Sequence, residues 1–190
     1  MLSALPKNSE HGFTLIELII TIAIIGIAIT LGMPGYGTWI QNTQIRTAAE
    51  SIQNGLQLAR GEAVRRNTPV QFVLTDSSPA EANVNSVTAS TTGRNWVVRV
   101  FQSGGVYTVS DFIQGRARGE GSSNVSINAG QNAFTFTGLG RLSPIPAASI
   151  AINITNAGAD RPLRILVSPG GMIRMCDPAL VLASNPQGCA

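Results

Sequence analysis

Phe13 and Glu17 stand four residues apart at the head of a long apolar run, and they are the pair in this chain most able to do chemistry. From Phe13 to Met33 the only charged residue is Glu17. A carboxylate inside such a segment costs roughly 2.5–3.5 kcal/mol or more, so it is kept for a task. If the chain were cut after Gly12, Phe13 would carry a free cationic amine. In a low-dielectric setting that amine on one copy would pair with Glu17 on a neighbour. The residues suggest a chain that is trimmed, held in a membrane and packed against copies or relatives of itself.

The run itself must position this pair. About 20 apolar residues cross a bilayer as a helix, and Phe13–Met33 has that length. A secretory signal peptide has a shorter apolar core, about 7–15 residues, with its cleavage site behind it. An ordinary signal anchor has the length but leaves Glu17 unexplained.

The string Gly12-Phe13-Thr14-Leu15-Ile16-Glu17 resembles the prepilin cleavage motif of type IV pilins and type II secretion pseudopilins. The resemblance implies that a prepilin peptidase cuts between Gly12 and Phe13 and that Phe13 becomes N-methylated. It makes Glu17 the filament-assembly carboxylate. It also implies a single pass through the inner membrane, a periplasmic head, a cell-surface pilus after assembly, and other pilin subunits and membrane lipid as partners. Pro34 matches the proline that the family often places one span into the mature helix.

Residues 1–12 read as the leader, 13–34 as the membrane and assembly helix, 35–68 as the amphipathic half of the same helix and 69–190 as a β-rich head. Proline removes a backbone donor, so a break is expected near Pro34, among Gly32, Gly35 and Gly37. Beyond it, Ile45, Ala49, Ile52, Leu56, Ala59 and Ala63 recur in steps of four and three and line one helix face. Arg46–Glu50 and Glu62–Arg66 are i,i+4 pairs, worth a few tenths of a kcal/mol each. Asn67-Thr68-Pro69 ends the helix, with Asn67 as a left-handed cap. At 1.5 Å per residue, Phe13 to Arg66 would extend about 80 Å.

Strand patterns follow at Val70–Leu74, Trp96–Phe101, Val106–Ile113, Val125–Asn128, Ala133–Thr137, Ser149–Thr155, Arg164–Ser168 and Met172–Cys176. Gly104-Gly105 predicts a hairpin between the second and third. Residues 76–93 and 114–123 read as loops, and 177–190 as a tail. Leu58–Asn67 with Pro69-Val70, Phe134-Thr135-Phe136 with Gly140-Arg141, and Arg174–Pro178 resemble FimT/GspH-type minor pilins and pseudopilins. The implied fold class is α+β, pilin-like: a long N-terminal helix packed on antiparallel β-sheets.

An exported head meets an oxidising compartment, where Cys176 and Cys189 are expected to form a disulfide; two free thiols are the alternative. The pair favours type IV pilus minor pilins over secretion pseudopilins within the resemblance. Some FimT relatives bind DNA through a C-terminal Gly-Arg-x-Arg. Here Gly171-Met172-Ile173-Arg174 holds that place with one arginine replaced, and a literal match lies at Gly115–Arg118. Arg116, Arg118 and Arg174 are thus the candidate phosphate contacts, though a net charge of +3 is small for such a partner.

No catalytic set emerges. The only histidine, His11, and the only lysine, Lys7, lie in the leader, leaving no usual general base or Schiff-base lysine beyond it. Two cysteines alone do not fill a zinc site, no phosphate-binding glycine motif occurs, and no cofactor is expected. The reading is of a structural subunit, either a minor pilin of a type IV pilus or a type II secretion pseudopilin, with DNA uptake as a third role.

Overall fold

The computed structural model describes residues 12–117 and 124–189, and at 31–35 the backbone alone. One helix, α1, spans Leu15–Arg66. The chain divides into two compact units, Met1–Gly37 and Thr38–Ala190. The amphipathic part of α1 therefore belongs with the strands.

In the first unit α1 begins after Gly12–Thr14, which lie outside regular secondary structure, and its large apolar side chains from Leu15 to Ile29 are exposed. Thr21 and Thr30 hydroxyls donate back to the Leu18 and Ile27 carbonyls at 2.8 Å, so neither is left without a partner in apolar surroundings. Among the described residues no helix is long and apolar enough to cross a membrane. The break expected at Pro34 is not found: α1 is continuous through it. A proline removes one bond of the ladder, and the turns on either side retain theirs.

In the second unit the six residues Ile45, Ala49, Ile52, Leu56, Ala59 and Ala63 are all buried, none more than 2 % exposed. They face two sheets. The first has strand order β3-β2-β1-β5, from β1 (Val70–Thr75), β2 (Asn95–Val100), β3 (Phe112–Arg116) and β5 (Ala133–Phe136). The second runs β4-β6-β7-β8-β9, from β4 (Val125–Ala129), β6 (Ile150–Asn156), β7 (Leu163–Val167), β8 (Ile173–Val181) and β9 (Gly188–Cys189). Phe72, Trp96 and Phe134 from the first sheet and Ile152, Ile154 and Ile165 from the second join the helix stripe in one core. Burial of each such large side chain contributes about 1.5–3 kcal/mol. Polar bonds add register: Trp96 Nε1 donates to Ser51 Oγ at 3.0 Å, and Asn42 Nδ2 to Asp160 Oδ1 at 2.7 Å.

Asn67 ends α1 with φ 50°, the left-handed turn expected of it. Three strand expectations need correction. The segment from Val106 does not form a strand at once. It makes a 3-10 turn at Val109–Asp111, boxed by Thr108 and Asp111 side chains, and only then enters β3. Such local side-chain bonds compete with a sheet ladder. Arg116, placed in a loop by its Gly- and Arg-rich surroundings, closes β3 opposite Trp96. The tail at 177–190 is partly β-structure: β8 runs on to Val181 and pairs with β9 in parallel, so the second sheet is mixed.

Candidate functional sites

The N-terminal site is built from Gly12, Phe13, Thr14 and Glu17. Phe13 is 86 % exposed and Leu15 76 %. Among the described residues, and apart from its own chain neighbours, no atom lies within 4 Å of where a Cβ would stand on Gly12. Thr14 closes the helix start, its Oγ1 accepting the Glu17 N–H at 3.3 Å and its carbonyl the Leu18 N–H at 3.2 Å. Glu17 is thereby fixed in the first turn, four residues past Phe13. The site thus joins an accessible peptide bond to a carboxylate in an exposed apolar face.

In the head, Cys176 and Cys189 are bonded, S–S 2.03 Å. Arg174 Nη2 donates to the Gly188 carbonyl at 2.7 Å and so holds the loop that this bond closes. That contact gives Arg174 a structural task in the head. Arg116 is exposed on β3, in the other sheet from Arg174, and Arg118 lies outside the described residues. The structure does not bring Arg116 and Arg174 together on one strand pair or one sheet. Among the described residues no group of three His, Cys, Asp or Glu side chains could hold a metal ion.

One polar cluster was not anticipated. Arg99 is buried on the face of the first sheet turned away from α1. Its Nε and Nη2 donate to Gln71 Oε1 at 3.2 and 3.1 Å, and its Nη1 to the Val84 carbonyl at 2.9 Å. The guanidinium lies 3.5 Å from the Tyr107 ring centroid. Burial pushes the Arg99 guanidinium down, while Tyr107 and Asp111 act in the opposite sense. Asp111 accepts from the Thr108 N–H and hydroxyl and from Gln102 Nε2, and these bonds hold its carboxyl below the usual range. The sequence carried half of this signal, Gln71 and Arg99 alternating with apolar neighbours, but not the loops that cover them. Thr14 was missed too, although Thr-x-x-Glu before an apolar run is a helix-start signature.

Comparison with known proteins settles the family. The model of the family described as type II transport protein GspH matches residues 48–171. The chain belongs to the GspH family. A prokaryotic N-terminal methylation motif matches residues 7–33. Outside the family model, this GspH-family chain is similar to the type IV major alpha-pilin of Moraxella bovis, 32% identical over 44% of this chain and 52% of that one. It is also similar to the type IV major fimbrial protein FimA of Dichelobacter nodosus, 42% identical over 27% of this chain and 32% of that one. The matches span about half or less of these curated relatives. The crystal structure of the Pseudomonas aeruginosa type IV minor pilin FimU shares the fold, with TM-score 0.53 and 20% identity over 80% of this chain and 99% of that one.

Proposed function

We propose that this GspH-family chain is a minor pilin, a structural subunit that joins or primes a type IV pilus. The observation that carries the reading is Glu17 in an exposed apolar helix, one turn past the accessible Gly12–Phe13 bond. Residues 1–12 are the leader, removed by a prepilin peptidase, and Phe13 is then N-methylated. Residues 13–34 anchor the subunit in inner-membrane lipid with the head in the periplasm, until the pilus carries it to the cell surface. Residues 35–68 complete the helix and 69–190 form the head. Glu17 takes the Phe13 amine of a neighbouring pilin subunit as its counter-ion, which relieves the cost of a charge in apolar surroundings. The residues around Pro34 are the part of α1 that would open on packing, since the proline has already removed one bond there.

The match to a type II transport family supports a second reading, a secretion pseudopilin working by the same Glu17 chemistry. Deletion of the gene separates the two: loss of twitching marks the pilus, loss of protein secretion the pseudopilus. For either filament, Glu17→Ala is expected to leave leader removal intact and to lower incorporation at least several-fold, read by immunoblot of sheared filaments. Incorporation at the wild-type level would overturn the assembly role.

A further inference from the structure

We propose that Thr14 is a positioning residue for leader removal: its hydroxyl caps α1 and so keeps the Gly12–Phe13 bond out of the helix. The proposal rests on the processing role given above to Gly12 and Phe13. Thr14 makes both bonds of an N-cap residue, side-chain oxygen to the Glu17 N–H and carbonyl to the Leu18 N–H. Leu15 is consequently the first helical residue, and Gly12, Phe13 and Thr14 stay outside the helix and exposed.

The placement matters because of which carbonyl is attacked. Hydrolysis of Gly12–Phe13 needs the Gly12 carbonyl free to be polarised and open on one face. In an α-helix each carbonyl accepts the N–H four residues on. Were α1 to start two residues earlier, the Ile16 N–H would occupy the Gly12 carbonyl. The first turn of any helix has N–H groups in search of acceptors, and in apolar surroundings water does not supply them. Thr14 Oγ1 satisfies one of these at no cost to the upstream chain. Without the hydroxyl, the nearest substitutes are the Phe13 and Gly12 carbonyls, and taking them winds the helix through the scissile bond.

The test is the initial rate of leader removal from the full-length chain in detergent micelles by a prepilin peptidase. The substrates are wild type, Thr14→Ser, Thr14→Asn, Thr14→Val and Thr14→Ala. Rates should follow capping ability: Ser and Asn within about two-fold of wild type, Val and Ala slower by about three- to ten-fold. Because the variant lowers the fraction of chain in the competent form, the loss should fall on KM and leave kcat in place. The 13C carbonyl and Cα shifts of Gly12 and Phe13 in uncut Thr14→Val should move toward helical values, and those of Thr14→Ser should not. Valine keeps the shape of threonine, so wild-type cutting of Thr14→Val overturns the cap while leaving the processing role intact. A slow Thr14→Val with unchanged shifts also overturns it, since the hydroxyl would then act on the peptidase directly. If wild type is not cut between Gly12 and Phe13, the processing role fails and the cap's purpose fails with it.

Discussion

A Cβ at Gly55 would stand 2.7 Å from Cε2 of Phe72, closer than packed atoms come. Phe72 has no room to retreat, with Trp96 at 5.7 Å and Phe134 at 6.2 Å between ring centroids. Gly55 is therefore where α1 comes down onto the first sheet. Gly61, six positions on in the same helix, has nothing within 4 Å of its Cβ position. The two glycines predict opposite outcomes for one substitution. Gly61→Ala should stabilise by about 0.5–1 kcal/mol, the helix-propensity gain. Gly55→Ala gains the same but overpacks the core at about 1–3 kcal/mol, so it should destabilise by up to about 2 kcal/mol. Thermal unfolding of the detergent-solubilised chain measures both, and a more stable Gly55→Ala would show that the sheet can yield there.

Arg99 predicts a different kind of failure. Its three donors to Gln71 and Val84 and its stack on Tyr107 tie the segments at 76–94 and 101–111 to the outer face of the first sheet. Lysine keeps the charge but has neither the planar fork nor the stacking face. Arg99→Lys should therefore cost about 1–3 kcal/mol, because Gln71 Oε1 and the Val84 carbonyl lose partners in a buried site. The loss should be local first. Hydrogen exchange at residues 101–111 is expected to rise more than exchange at Ile45–Ala63, and equal rises at both would place the damage in the shared core.

The contrast between these sites shows what was legible in advance. The helix stripe from Ile45 to Ala63 could be read because burial on one face imposes a period on the sequence, and all six residues are buried as that period requires. Glu17 could be read because a charge has no local reason to sit in an apolar run. The Arg99 cluster could not, since alternation in β1 and β2 tells which face a residue takes and not what covers that face. The turn at Val109–Asp111 hid for a related reason: valines favour a strand, while the decisive bonds come from Thr108 and Asp111 side chains. The two residues of β9 are too few to carry any period, and their parallel partner is brought to them by Cys176–Cys189 and Arg174.

Glu62 supplies a prediction in pH. Its Oε2 takes Arg65 Nη2 at 2.6 Å and Arg66 Nε at 2.7 Å. Hydrogen bonds from Arg65 first and Arg66 second hold its carboxyl down from an ordinary 4.5 to about 2. A depressed acid stabilises the fold above its unfolded value, and that contribution is lost as pH falls from about 4.5 through about 2. Converted directly, such a shift is about 3 kcal/mol. Arg65, however, has a side chain 65% exposed, and solvent screening of surface pairs brings the contribution to about 1 kcal/mol or less. The sharper measurement is the titration of Glu62 itself by 13C NMR of its carboxyl carbon. A midpoint near 2 is expected in the native chain, rising toward 4.5 when Arg65 and Arg66 are both replaced by glutamine. Arg66→Gln alone should give the smaller part of that rise, because Arg65 alone offers Glu62 two donors, Nε at 3.1 Å to one oxygen and Nη2 to the other. A native midpoint already at 4.5 would mean that these bonds do not persist in solution, and the stability lost at low pH would then have to come from Asp111, whose carboxyl is also held down.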